Sequence, residues 1–297
     1  MKKTVVLAYS GGERSAAGIG WLAERHRADV VTVTLDLGES HEVADMRRRA
    51  MDEGAVRAHV LDVRDEFVRE YVMPSLKAGA VADGRYPLST ALTRPIIARK
   101  LVEIARIEQA AVVAHGCVGR DVARIGKALK TIAPDLLAMA FAAEPDFDRA
   151  AVDDTADRVD ANVWGRTIRR HGDDGSAAPP ESAFRRTKPL DDTPSIPAYV
   201  DILFERGAPA GHSGVTMTFP ELIDSLATIA GEHGVGRLDH IKVRSDGTRT
   251  RALHEAPAAV VLHLAHAELW RYVSSESQQR FDVAVSARSE EHTSELQ

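Results

Sequence analysis

The opening 115 residues alternate short Val-rich apolar runs with longer stretches of helical periodicity, and few folds accept that pattern. Thr4–Tyr9 (TVVLAY), Val30–Leu35 (VVTVTL), Ala58–Val63 (AHVLDV) and Ala111–His115 (AVVAH) each read as a strand that ends in polar or glycine residues. Apolar runs without polar alternation suit strands buried on both faces, which a parallel sheet supplies. Helical stretches fall between them at roughly 13–27, 41–54, 64–78 and 91–108. Strand, helix and strand repeated in this way predict a doubly wound parallel sheet with right-handed crossovers. Ligands of such sheets sit outside the carboxyl ends of the strands. Ser10-Gly11-Gly12, Asp36 and His115-Gly116-Cys117 are therefore expected along one rim.

From residue 143 to 197 the chain is rich in Pro, Gly and Asp and loses periodicity, around a short island at Val159–Ile168. Beyond it, Tyr199–Phe204 alternates as a half-exposed strand. Thr218 and Glu221 form a capping box at the head of a helix. Gly234–Arg244 and Thr248–Leu253 predict a hairpin about Ser245-Asp246-Gly247. Ala258–Val273 reads as a helix. The expected organisation is an α/β domain over 1–142, followed by a smaller α+β domain over 143–287.

The last ten residues, Arg288–Gln297 (RSEEHTSELQ), match the in-frame translation of a common sequencing-adapter oligonucleotide. They are expected to pack against nothing, and the coding region to have ended near Ala287. The single cysteine, Cys117, excludes a disulfide framework and a Cys-rich metal site, and fits a reducing cytoplasm. The N-terminal apolar run is shorter than a secretory or membrane segment, so no membrane association is expected. A net charge of −6 with dispersed Lys and Arg argues against nucleic acid as a partner.

The strongest local motif is Ala8-Tyr9-Ser10-Gly11-Gly12 between a strand and a helix. Two glycines permit a tight turn whose N–H groups face outward, and the following helix adds the positive end of its dipole, which suits phosphate or pyrophosphate. The motif is neither a Walker A loop nor a GxGxxG fingerprint. A plain strand-to-helix turn remains the competing reading of these residues alone.

An SGG after a first strand, with a hydroxyl close behind, resembles the pyrophosphate loop of the N-type ATP pyrophosphatases, whose nucleotide domain is HUP-like. Within that group the chain resembles the argininosuccinate synthase family over nearly its whole length. The matching segments include TLDLGE (34–39), 66–105, AHGCVG (114–119), DANVWGRTI (160–168), AYVDILFERGAP (198–209), EHGVGRLD (232–239) and HEAPAAV (254–260). The resemblance implies ATP-dependent ligation of citrulline and aspartate through an adenylated intermediate, with release of pyrophosphate and AMP. It implies that Ala8, Ser10, Gly11, Gly12, Ser15 and Gly116 meet ATP. It also implies that Tyr86, Thr90, Arg94, Asp121, Arg124 and Thr167 meet the amino-acid substrates. A cytoplasmic homo-oligomer acting on small molecules follows from the same resemblance. No residue is assigned as catalytic and none as a metal ligand.

Departures from the family pattern fall on the chemistry. Arg14 stands where the family's loop has an aspartate suited to Mg²⁺, so magnesium dependence is doubtful. Ala16 replaces a serine, Val118 a threonine and His254 a tyrosine. Lys242-Val243-Arg244 replaces Glu-Asn-Arg. Two functional readings stand: an ATP-dependent carbon–nitrogen ligase, with altered substrate as one form of it, and a catalytically inactive nucleotide- or amino-acid-binding homologue. RNA thiolation on the same fold normally needs reactive cysteines, which one cysteine and an acidic chain do not favour. On the residues alone Arg94 also reads as a carboxylate partner and Tyr86 as a turn aromatic. His115, Cys117, His263 and His266 read as structural.

Overall fold

The computed structural model describes residues 3–38, 43–148, 157–170, 173, 175–243, 247, 249–281 and 284–285. The adapter-like segment 288–297 and the turn residues Arg244, Ser245 and Asp246 lie outside the described residues. The chain runs β1 (Lys3–Ala8), α1 (Glu13–His26), β2 (Ala28–Asp36), α2 (Val43–Asp52) and β3 (Arg57–Asp62). Next come α3 (Arg64–Phe67), a π-helical turn at Val68–Val72 and α4 (Met73–Lys77), then the two-residue strands β4 (Val81–Ala82) and β5 (Tyr86–Pro87). The long helix α5 (Thr90–Ile107) leads into β6 (Val112–His115), α6 (Arg120–Ile132) and β7 (Leu137–Ala140). Then follow β8 (Arg158–Asn162), β9 (Gly165–Arg169), β10 (Ile202–Glu205), β11 (Ala208–His212) and β12 (Val215–Thr216). Helix α7 (Phe219–Glu232), strands β13 (Arg237–Val243) and β14 (Arg249–Glu255), and helix α8 (Pro257–Val273) complete it.

Two compact units divide these elements: residues up to 63 with 93–148, and residues 64–92 with 157–285. The first unit is a five-stranded sheet in the order β3-β2-β1-β6-β7, every pair parallel. Side chains of β1 alternate between its two faces, as a pleated strand requires. Val5 and Leu7 join a core with Ile19 and Leu22 of α1 and Met46 and Ala50 of α2. Val6 joins Ala98, Leu101 and Ala105 of α5 and Ile125 and Leu129 of α6 on the opposite face. Both faces are covered, so Val5, Val6 and Leu7 are fully buried, each worth about 1.5–3 kcal/mol of transfer free energy.

The order of the strands matters for function. The chain lays β2 and β3 on one side of β1, then returns to lay β6 and β7 on the other. The reversal falls between β1 and β6, which pair in register from Val5↔Val112 to Ala8↔His115. A crevice at such a switch point, outside the carboxyl ends, is where open α/β sheets bind ligands.

In the second unit β13-β14-β9-β8 form an antiparallel sheet, β10-β11-β12 a smaller one, and α7 and α8 cover apolar surface with Leu222, Leu226 and Leu262. Its irregular stretch is held by one buried carboxylate. Glu255, fully buried, accepts from Arg166 Nη1 at 2.8 Å, from the amides of Arg185 and Arg186, and from Thr187 Oγ1 at 2.9 Å. A buried charge persists only with such a set of partners. The expected hairpin forms as β13 and β14, and the Val159–Ile168 island is the β8–β9 hairpin, its turn closed by Asn162 Oδ1 accepting from Trp164 and Gly165.

Three expectations are corrected. The strand after the Pro-rich stretch begins at Ile202 and not at Tyr199, which is 91% exposed. The stretch 64–78 is helical throughout but broken by the π turn at Val68–Val72. Helix α6 and strand β7 escaped the sequence pattern. The apolar face of α6 is narrow, with Ile125 and Leu129 buried among Arg and Lys, and β7 is a four-residue edge strand, Leu-Ala-Met-Ala.

Candidate active site

The Ser10-Gly11-Gly12 loop leaves the carboxyl end of β1 and enters α1 at the switch point. Gly11 has φ +72°, a backbone conformation that side-chain-bearing residues resist. A Cβ there would also fall 2.4 Å from Met46 Sδ on α2. The loop's carbonyls are committed. Gly11 O accepts from Arg49 Nη2 at 2.6 Å, and Gly12 O accepts from Ser15 Oγ at 2.8 Å and from the Ala16 amide at 3.1 Å. Because a trans peptide directs N–H opposite to C=O, tying these carbonyls turns the Gly12 and Glu13 amides the other way. Gly12 is the N-cap of α1 and offers no capping side chain, so the helix start retains its affinity for an anion. Ser15 also accepts from the Ser10 amide at 3.3 Å, which closes the loop upon itself.

Beside it, at the end of β6, Gly116 carries no side chain for a packing reason. A Cβ there would meet the Phe141 ring at 2.8 Å and Arg14 Cδ at 3.5 Å. Phe141 fills this space from the turn after β7, meeting Phe147 edge to face and Trp21 at a tilt. Ala8, whose partner in the sheet is His115, completes the expected nucleotide set at this edge.

Three of the expected amino-acid residues come together in the same unit. Asp121, in the first turn of α6, accepts from Arg94 Nη2 at 2.8 Å and from Arg124 Nη1 at 3.1 Å. All three side chains are largely buried, 11% to 17% exposed, so two guanidiniums share one carboxylate and the group carries net positive charge. His115 lies next to them, 1% exposed, and its Nδ1 has no hydrogen-bond partner. Burial first, and the Arg94 charge second, push its pKa down to about 4, so the imidazole is neutral at physiological pH. The carboxylate partner that the sequence allows for Arg94 is thus Asp121.

The second unit holds Tyr86 and Thr167. Tyr86 is buried, and its ring stacks on His240 at 4.0 Å and lies 5.4 Å from His254. Its hydroxyl donates to the Asp239 carbonyl at 2.9 Å and accepts from Arg85. Thr167 Oγ1 is 3.1 Å from His254 Nδ1, so His254 touches both expected residues. His240 in turn pairs with Asp83 at 2.5 Å. Thr90 is buried where α5 begins, and Arg94 is one turn further along that helix.

Both halves of the chain match known families. Residues 4–159 match the family described as the arginosuccinate synthase N-terminal HUP domain, and residues 158–294 match the arginosuccinate synthase C-terminal domain. The chain belongs to the argininosuccinate synthase family. The argininosuccinate synthase of Bacillus cytotoxicus is 40% identical over 286 residues, covering 90% of this chain and 71% of its own. That of Bacillus velezensis is 41% identical, covering 90% and 70%. An NH3-dependent NAD synthetase from Campylobacter jejuni overlaps 41% of this chain and 50% of its own with 15% identity and a TM-score of 0.29, too slight to carry an argument. Members of the argininosuccinate synthase family use ATP. No helix among the described residues is long and apolar enough to cross a membrane.

Two sets of residues, one in each unit, went unread in the sequence. His240 escaped because its neighbours in sequence point to the opposite face of β13. Met46, Arg49 and Glu53 of the α2 region also bear on the glycine loop. Their spacing, i, i+3 and i+7, places them on one helix face, which is the signal that marks them.

Proposed function

We propose that this chain is an ATP-dependent carbon–nitrogen ligase of the argininosuccinate synthase type. The citrulline ureido oxygen attacks the α-phosphorus of ATP, and pyrophosphate leaves. The amine of aspartate then attacks the activated carbon; the carbon–oxygen bond to AMP breaks and the amine loses a proton. Enzymes of this kind contribute positioning and charge stabilisation in the main. The observation that carries the reading is the glycine loop beside Gly116 at the strand reversal, with its carbonyls tied back and its amides turned out.

In this reading the backbone of Ser10, Gly11 and Gly12, with Ser15 and Ala8, cradles the phosphates of ATP. Arg94 and Arg124 receive a substrate carboxylate, which competes with Asp121 for the same guanidinium N–H groups. Tyr86, Thr90 and Thr167 shape the amino-acid pocket. His115, held neutral by burial, fills the floor under Arg94 without adding a second repelling charge. Residues 1–142 supply the nucleotide functions and 143–287 the synthetase and assembly functions of a cytoplasmic homo-oligomer.

The residues present do not fit a protein-held divalent cation. Arg14 occupies the loop position suited to a carboxylate, and at about 5 Å with an effective dielectric near 20 it repels each unit of cation charge by roughly 3 kcal/mol. Arg14 instead pairs with phosphate oxygens, and ATP binding depends little on Mg²⁺. Pyrophosphate release measured with ATP and a panel of amino acids tests the proposal. Release that needs citrulline, and that continues over many turnovers only when aspartate is also present, supports it; ATP binding without release under any pair supports the inactive homologue.

A further inference from the structure

We infer that Arg49 is a positioning residue for the phosphate loop: its guanidinium holds the Gly11 carbonyl and so turns the Gly12 amide toward the bound anion. This rests on the phosphate reading of the loop proposed above. The contact is a charge-assisted hydrogen bond, Arg49 Nη2 to Gly11 O at 2.6 Å, made from a neighbouring helix and not from the loop itself. The peptide it grips joins Gly11 to Gly12. That unit is planar and trans, so fixing its oxygen fixes the direction of its N–H. The next carbonyl, Gly12 O, is by contrast held from within the loop by Ser15.

The helix that carries the arginine is packed against the loop. Met46, one turn earlier on α2, lies under Gly11, where its Sδ would be 2.4 Å from an added Cβ. Glu53, one turn later, accepts from the Tyr9 hydroxyl at 2.8 Å, immediately before Ser10. The α2 region therefore meets the chain at Tyr9 and at Gly11, and the Arg49 guanidinium lies beside Gly11. It contributes a fixed positive charge there as well as a fixed peptide. Its role differs from that of Arg14: Arg14 reaches phosphate oxygens, while Arg49 acts through the backbone.

The experiment is calorimetric titration of the full chain with inorganic pyrophosphate and with ATP, for the parent, Arg49→Met, Arg49→Lys and Tyr9→Phe. Arg49→Met is expected to weaken both ligands roughly tenfold, as loss of one charge-assisted hydrogen bond would. Arg49→Lys keeps the charge but loses the fork, and is expected to recover part of that loss. Tyr9→Phe cuts the other link between the α2 region and the end of β1, and is expected to leave both affinities within about twofold of the parent. Unchanged affinity in Arg49→Met, or an equal loss in Tyr9→Phe, overturns the inference, the second result because it shows general anchoring of α2. Should Arg49→Met not fold, the contrast between Arg49→Lys and Tyr9→Phe decides in the same way. A parent that binds neither ligand sinks the phosphate reading and this inference together. A parent that binds both, with Arg49→Met unchanged, sinks this inference alone.

Discussion

At the end of β1 the proposed binding groups are backbone amides in a loop whose Gly11 and Gly12 carbonyls are tied back by Arg49 and Ser15. Around Tyr86 and Thr167, by contrast, the proposed binding groups are side chains already engaged by neighbours: the Tyr86 hydroxyl donates to Asp239 O, and Thr167 meets His254. The Arg94–Asp121–Arg124 cluster follows the second pattern, although it lies in the same unit as the loop. If the proposed assignments hold, the loop meets its anion without losing a bond, whereas Tyr86, Thr167, Arg94 and Arg124 each exchange an internal bond for a ligand bond. Affinity for phosphate should depend on backbone geometry, and affinity for amino acids on how easily side-chain pairs open.

The largest expected effect follows from the loop. Gly11→Ala forces a Cβ onto φ +72° and against Met46. It should lower stability by about 1–3 kcal/mol, with ATP affinity falling at least tenfold in the folded fraction. Chemical denaturation and calorimetry measure the two. Retained ATP affinity would remove the loop from the site.

A second test divides the two regions. Asp121→Asn removes the carboxylate that two largely buried guanidiniums share, and should reduce stability by about 1–3 kcal/mol. Citrulline-dependent turnover should fall with it, while ATP affinity stays within about twofold. Equal losses for ATP and citrulline would show that the two regions behave as one network.

Acid supplies a third test. Burial pushes His115 and His263 down to about 4 from the ordinary 6.5. The folded state binds fewer protons there than the unfolded chain, so stability rises with pH through this window. It is fully present above pH 6.5 and is lost as pH falls toward 4, by on the order of a few kcal/mol for each histidine. His263→Gln should flatten the dependence of Tm on pH between 6.5 and 4. A parent whose Tm is level across that range contradicts the burial argument.

Much of this was legible in the residues, for physical reasons that differ by region. The parallel sheet was readable because Val5, Val6 and Leu7 are buried on both faces, and such strands need continuous apolar sequence. The glycine loop was readable because Gly11 must be glycine. Helix α6 was not, since its face of Ile125 and Leu129 is narrow. Of the amino-acid contacts, Arg94, Asp121 and Arg124 do meet, but that they hold one another could not be read from positions 27 and 3 residues apart. The spacing of Arg49 with Met46 and Glu53 marks its helix face, but its partner, a carbonyl 38 residues away, could not be read because backbone acceptors leave no mark in sequence.

The most direct measurement is ATP titration by calorimetry with and without Mg²⁺, for the parent and for Arg14→Asp. If outward amides and guanidinium charge hold the phosphates, Mg²⁺ should alter the parent's Kd by less than about threefold. Arg14→Asp should restore a dependence of tenfold or more, on the order of 1.4 kcal/mol. A parent that binds ATP only when Mg²⁺ is present would contradict the account, and Glu13 or Asp36 would become the carboxylate to test.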